Sequence, residues 1–285
     1  MGSINSHPYS GKRALLTSKH QKLKLFQETF MDHLNLAIDE LPLDTDILGT
    51  FSGEIERTAT PLHTAIKKAE LGLDATGLTL GIASEGSIGA DPHIPWIQCD
   101  YELAVFVDRE RELVISESYK SNEIVAATIT ARRDEDLSAF LEKADFPHHG
   151  LIVRTFSSEL SQFRKGIHDI SALREAIELL AEFSPTHQVV IESDFRAMHS
   201  PSRQRNISAV ASRLALRIAA RCPECNTPGW GRIDYLKGVE CRECGDVNPD
   251  AIKGEILGCY RCDFKAPGNV IRKLLEAAQC NFCNP

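Results

Sequence analysis

The chain has 285 residues, 42% hydrophobic and 25% charged, with a net charge of −8. That length suffices for one large or two medium domains with a real core, and the acidic balance argues against broad non-specific nucleic-acid binding without excluding a local basic patch. No apolar run approaches the roughly 18 residues needed to cross a bilayer, and Met1 to Gly11 lacks the charged and apolar regions of a signal peptide, so the expected location is the cytoplasm.

In chain order, Arg13 to Leu16 reads as a first strand, followed by Thr17-Ser18-Lys19-His20-Gln21-Lys22 and a helix through His33. A second strand is expected over Leu34 to Leu41, then a polar loop from Asp44 to Thr60 that carries Glu54 and Glu56. Thr60 as N-cap and Pro61 at the first helical position open a helix to Ala75, which Gly77 ends. Leu78 to Ala83 reads as a buried strand running into the loop Ser84-Glu85-Gly86-Ser87-Ile88-Gly89. Tyr101–Asp108 and Glu112–Tyr119 alternate and are joined by a charged turn, the signature of a hairpin. Beyond them lie a helix over Glu135–Ala144, a strand over His149–Arg154 and a polar connector over Ser157–Gly166. An amphipathic helix over Ser171–Phe183, a strand over Gln188–Ser193 and a long helix from Ser200-Pro201 to Ala220 complete the body. Strands and helices alternate throughout, which predicts an α/β domain over residues 12–220 with a mixed sheet flanked by helices.

Residues 221–285 are set apart by four Cys-x-x-Cys pairs: Cys222/Cys225, Cys241/Cys244, Cys259/Cys262 and Cys280/Cys283. In a chain expected to keep its thiols reduced, this reads as metal binding, with Cys99 an ordinary buried thiol. The gaps of 15 and 17 residues within successive couples of pairs suit two knuckles folding onto one tetrahedral ion. The expectation is two structural Zn²⁺ in a tandem zinc ribbon, the first two pairs holding one ion and the last two the other. Iron–sulfur ligation fits this spacing less well. Trp230, Ile233, Tyr235 and Val239 suggest a short hairpin turning near Lys237-Gly238, and Ile271, Leu274 and Leu275 a short helix. Four thiolates close the coordination sphere, so the ions would be structural. Eight Lys/Arg against nine Asp/Glu from Cys222 onward make the tail a poor phosphate binder.

Three segments gather polar residues where α/β proteins build ligand sites. Lys19 and Lys22 precede a helix, where backbone donors and dipole suit phosphate oxygens; a solvated loop is the alternative. Glu85, between small residues, could hold Mg²⁺ or Mn²⁺ on a triphosphate together with Glu54 and Glu56, with Lys67 and Lys68 nearby. From Arg196 to Arg221 there are six arginines and no acid. Ile207, Val210, Ala211, Leu214 and Ile218 form the core stripe of that helix, leaving Arg213 and Arg217 to face solvent or the tail. Arg203 and Arg205 oppose the helix dipole in its first turn, which calls for an anionic partner: Glu192 or Asp194 in an internal ion pair, or a bound phosphate.

In this order the three segments resemble the inosine triphosphate pyrophosphatase-like superfamily. Thr17, Lys19 and Lys22 match its Thr-x-Asn-x-x-Lys loop, with lysine in place of asparagine. Glu54 and Glu56, followed by Thr64-Ala65-Ile66-Lys67-Lys68-Ala69, are similar to its acidic loop and Asn-Ala-x-x-Lys-Ala helix. Thr76-Gly77, the strand and Ser84-Glu85-Gly86-Ser87 match its Thr-Gly element, and His199 to Arg205 its late Ser-His-Arg. The whole chain, body plus cysteine pairs, resembles more closely an uncharacterised bacterial family of unknown function. The superfamily resemblance implies Mg²⁺-dependent hydrolysis of a nucleoside triphosphate to monophosphate and pyrophosphate. Glu85, Glu54 and Glu56 would then be catalytic, and Lys19, Lys22, Lys68, Arg196, His199, Arg203 and Arg205 would bind substrate. The expected partner is a nucleotide or other phosphorylated small molecule, with no membrane and with a homodimer as a compatible assembly. The rival expectation is a non-catalytic nucleotide sensor, or a zinc-ribbon adaptor for RNA or protein.

Overall fold

The structure is a computed structural model describing residues 7–44, 59–92, 94–156 and 162–285. Strand β1 (Arg13–Thr17) leads into helix α1 (Leu23–Leu34), β2 (Ala37–Leu41) and α2 (Pro61–Thr76), then β3 (Leu80–Ala90), β4 (Gln98–Asp108) and β5 (Leu113–Ser121). These strands form one mixed sheet in the order β2-β1-β3-β4-β5. The pairs β1–β2 and β1–β3 are parallel, and β3–β4 and β4–β5 antiparallel. The two helices cover opposite faces. Phe26, Phe30 and Leu34 of α1, four residues apart, bury one stripe with Ile82 and Phe106, while Ala65, Ala69 and Leu73 of α2 pack with Leu15, Ala83 and Val105 on the other side. Because β1 lies between β2 and β3, with α1 after β1 and α2 after β2 on opposite faces, the carboxyl end of β1 is a switch point, the place where open α/β sheets bind ligands.

The expected caps of α2 are present: the Thr60 side chain accepts from His63 N at 3.3 Å, and Gly77 closes the helix at φ 73°. Helix α1 ends at Asn35 in the left-handed conformation, so β2 starts at Ala37, later than read from sequence. The larger correction concerns Ser84 to Gly89. They are not a loop but the second half of β3, because β4 pairs with that strand residue for residue from Leu80↔Asp108 to Ala90↔Gln98.

A second sheet, in the order β6-β9-β7-β8, combines β6 (Thr128–Ala131), β7 (Leu151–Thr155), β8 (Phe163–Ile167) and β9 (Val189–Ser193). Helices α3 (Ser138–Lys143) and α4 (Ile170–Glu182) pack on it, burying Phe140, Leu173, Ile177 and Leu180. Both β6 and β8 escaped the sequence reading. They are edge strands of four and five residues with largely solvated side chains, so they lack the apolar alternation that marks a half-buried strand. Part of the expected connector, residues 157–161, lies outside the described residues.

Helix α5 (Pro201–Ala219) returns to the first sheet, and its expected stripe of Ile207, Val210, Ala211, Leu214 and Ile218 is fully buried there with α1. The tail is a third sheet, β10 (Gly231–Glu240), β11 (Val247–Gly258) and β12 (Lys265–Val270), antiparallel throughout. Among the described residues no helix is long and apolar enough to cross a membrane.

Candidate functional sites

The eight paired cysteines form two groups of four, each with its sulfurs within 4.8 Å of one another, but the membership corrects the expected pairing. Cys222 and Cys225 stand with Cys259 and Cys262, and Cys241 and Cys244 with Cys280 and Cys283. The pairs interleave. The physical reason is strand length: instead of a short hairpin turning at Lys237-Gly238, β10 runs ten residues to Glu240, roughly 33 Å of extended chain. Cys222/Cys225 before β10 and Cys259/Cys262 after β11 therefore share one end of the long hairpin, with Gly231 opposite Gly258. Cys241/Cys244 occupy its turn, where Glu240 pairs with Val247. The chain after β12 comes back to that turn, with Leu275 bridging Cys241 and only a short 3-10 turn, Ala277–Gln279, in place of the expected helix.

Sulfur–sulfur separations are 3.6 Å for Cys222–Cys262, 3.5 Å for Cys225–Cys259, 3.9 Å for Cys241–Cys283 and 3.6 Å for Cys244–Cys280. All are far too long for a disulfide, roughly 2.05 Å. Four sulfurs at about 2.3 Å from a central ion stand about 3.8 Å apart, so both groups have the size of a tetrahedral metal–thiolate site. Backbone amides support them. Arg261 N donates to Cys259 Sγ at 3.3 Å, and Asn226 N, Gly245 N and Asn284 N close three knuckle turns onto the carbonyls of Cys222, Cys241 and Cys280. Trp230 stacks on Phe264 at 5.4 Å, joining the two halves of the first group.

The second assembly is a buried charged cluster at the carboxyl end of β1. Residues Leu15 and Leu16 pair with Gly81 and Ile82, and β3 continues beyond that pairing. Here Lys22 Nζ donates to Ser84 Oγ at 2.9 Å, and Lys68 from α2 makes an ion pair with Glu85. Arg203 of α5 donates through Nε to Glu102 Oε1 at 2.6 Å and through a terminal nitrogen to Phe195 O at 2.6 Å. Asn206 donates to Asp100 Oδ2 at 2.8 Å. A Cβ on Gly86 would lie 2.4 Å from both the Arg203 guanidinium and Glu102 Oε1, so only glycine lets that pair close over the strand. Burial, and then the charge of Arg203, depress the Lys22 ammonium to about 8.

Thus Lys22 and Arg203 stand on the Ser84 and Gly86 side of β3 and Lys68 with Glu85 on the other side, near enough beyond the end of β1 for Glu85 and Lys68 to act on the Lys22 charge. Glu54 and Glu56 lie outside the described residues. The other named residues stand apart. Lys19 pairs with Asp44 at the surface, Arg205 is exposed, Arg196 pairs with Asp194, and His199 Nδ1 lies 2.9 Å from His168 Nε2. Of the two internal acids weighed for Arg203 beside a bound phosphate, neither Glu192 nor Asp194 is the one found; Glu102 pairs with it. Arg213 bonds Ser118 O, while Arg217 is buried against the tail, donating to Gly229 O at 2.6 Å and Arg232 O at 2.8 Å.

A third arrangement was not foreseen. His149 Nδ1 lies 2.8 Å from Asp145 Oδ2 and its Nε2 2.9 Å from Ser202 Oγ, an acid–histidine–serine series. Ser202 is wholly buried and also accepts from Val125 N at 3.1 Å. No substrate reaches it there. Its role is to tie the second sheet to α5, and Ser202→Ala, which strands the Val125 amide while His149 Nε2 keeps the backbone N–H of residue 202, should cost about 1–3 kcal/mol in urea unfolding. An unchanged midpoint would show that the network carries no stability.

A family model described as a domain of unknown function, DUF6671, matches residues 68–285. The chain belongs to that family. No curated protein matches it.

Proposed function

We propose that this DUF6671 protein hydrolyses a nucleoside triphosphate, and that its tail is a zinc ribbon holding two structural Zn²⁺ ions. The observation that carries the hydrolase reading is the gathering of Lys22 and Arg203 on one side of β3, and of Lys68 with Glu85 on the other, around its stretch beyond the end of β1. Three cations at a sheet's switch point suit a polyanionic ligand. The resemblance of the surrounding motifs to inosine triphosphate pyrophosphatases supplies the reaction: water adds at the α-phosphorus, the bond to the β-phosphate oxygen breaks, and monophosphate and pyrophosphate leave. Glu85 would take the proton from water. Lys22 and Lys68 would hold phosphate oxygens, and Arg203 is held by Glu102 at the rim of that cluster.

Among the described residues no three carboxylates gather into a preformed cation cage. Glu85 with phosphate oxygens still fits Mg²⁺ or Mn²⁺, since Mg²⁺ commonly uses one or two carboxylates plus substrate phosphates and keeps several waters. When bound, that ion would neutralise charge developing on the transferring phosphoryl group. The test is a screen of standard and modified nucleoside triphosphates with each ion, reading pyrophosphate release. Glu85→Gln should lower kcat by about 10²–10⁴-fold with zinc content unchanged and some loss of Tm, because the buried Lys68 loses its carboxylate, and Lys22→Ala should raise KM as well as lower kcat. An active Glu85→Gln protein would remove that residue from the chemistry.

The second reading, an adaptor, draws on the tail. Leu236, Val247, Val270, Ile271 and Leu274 are all more than 40% exposed there, and exposed apolar clusters mark interaction surfaces. A second copy of the chain or another protein suits them better than RNA, given the net charge. Failure of every triphosphate to turn over would favour this reading.

A further inference from the structure

Asp100 and Glu102 are two residues apart on β4 and face the same side as the buried Ala104 and Phe106. Both are completely buried. One oxygen of each is satisfied, Asp100 Oδ2 by Asn206 and Glu102 Oε1 by Arg203. Among the described residues, Asp100 Oδ1 and Glu102 Oε2 have no hydrogen-bond donor, although the two carboxyl groups stand within hydrogen-bonding reach of each other. Two ionised carboxylates cannot satisfy one another, because both only accept, and like charges this close in a dry site do not both ionise.

The geometry points to a single proton shared between Asp100 and Glu102, making Asp100 a positioning residue that fixes Glu102 and, through it, Arg203. Every neighbouring element agrees. Helix α5 presents Arg203 and Asn206, the α1 entry presents Lys22, β3 presents Ser84, Gly86 and Ile88, and β5 sets Ser121 and Tyr119 opposite the pair. With the proton, Lys22, Lys68 and Arg203 face Glu85 and one further negative charge, leaving the cluster at +1 and suited to an anion. Without it the cluster is neutral. Burial and then the Glu102 charge push the Asp100 carboxyl up to about 7. The folded chain therefore holds a proton that the unfolded chain has lost, and the stability this gives disappears as pH rises from about 4 to about 7.

The experiment is thermal unfolding of the full chain from pH 5 to pH 8, comparing wild type with Asp100→Asn. The amide reproduces the protonated state, accepting from Asn206 and donating to Glu102. Lys22 and the depressed His7, His149 and His199 titrate in both proteins, so the Tm difference isolates Asp100. It should already favour the variant at pH 5, where the unfolded Asp100 is ionised, and widen until about pH 7 before levelling off. A constant difference, or a less stable variant at pH 8, would overturn the shared proton. On the wild type alone, infrared difference spectra should show a protonated carboxyl band lost over the same range, and its absence at pH 5 would overturn it equally. The consequence for catalysis rests on the hydrolase reading: wild-type kcat/KM should fall above about pH 7 relative to Asp100→Asn. Absence of all hydrolysis would sink that reading while leaving the unfolding and infrared results to judge the proton.

Discussion

The double variant Cys225→Ser/Cys244→Ser is expected to lose both zinc ions, whereas Cys225→Ser/Cys259→Ser is expected to keep one. The interleaved clusters dictate this. The first variant removes one thiolate from each site, and the second removes two from the same site. Had neighbouring pairs shared an ion, the two outcomes would be exchanged. Zinc per chain after a chelator challenge reads the difference directly. The effect on folding is large, because a structural zinc contributes about 10–16 kcal/mol of binding free energy that the unfolded tail does not retain. In the described tail, Val239, Leu275 and three of the ligand cysteines are the fully buried hydrophobic residues. That is too small a core to replace the metal, so apo protein should lose the third sheet while the body, with its own cores, stays folded. Circular dichroism and proteolysis of chelated protein, with retention of the fragment ending near Arg221, check this.

The second large effect is expected at Glu102. Glu102→Ala leaves the Arg203 guanidinium, 1% exposed, without its carboxylate, and breaking a buried ion pair on one side typically costs about 3–5 kcal/mol. The paired replacement Arg203→Met/Glu102→Leu should recover much of that loss, since an apolar pair of similar volume needs no desolvation of charge. Gly86→Ala attacks the same contact sterically and should be destabilising, because the added methyl falls 2.4 Å from both partners. Denaturant unfolding of the three variants tests the account. If Glu102→Ala and the double variant are equally unstable, the ion pair is not the source of the loss.

The alternation of strands and helices was legible because periodicity reports burial. The capped helix after Thr60, the stripe of α5 and the β4–β5 hairpin all emerged from it. The paired cysteines were equally plain, but their partners were not, since spacing within a Cys-x-x-Cys pair says which sulfurs lie together and nothing of which other pair joins them. That depends on whether the intervening residues turn back or run straight as β10 does. Asp100 and Glu102 were hidden in a strand read for its apolar residues. The signal was present, since both acids fall in phase with Ala104 and Phe106 on the inward face, where a charge must find a partner. Arg203 showed the complementary half of that signal as a cation in an unfavourable helical position, but the sequence could not connect two residues 101 positions apart.

Helix α5 carries Arg203 at its start and Arg217 near its finish, about 21 Å apart along the axis. The first residue is locked onto β4, and the second is locked onto the backbone that leads from the first knuckle into β10. A helix of this length resists bending because each turn is closed by its own hydrogen bonds, and this one is also clamped along its buried stripe. Mechanically it is a strut between the cysteine-rich tail and the charged cluster. A displacement of the first knuckle therefore arrives at β4 as a push or a twist of the whole rod, which makes the state of the tail something the distant end can feel.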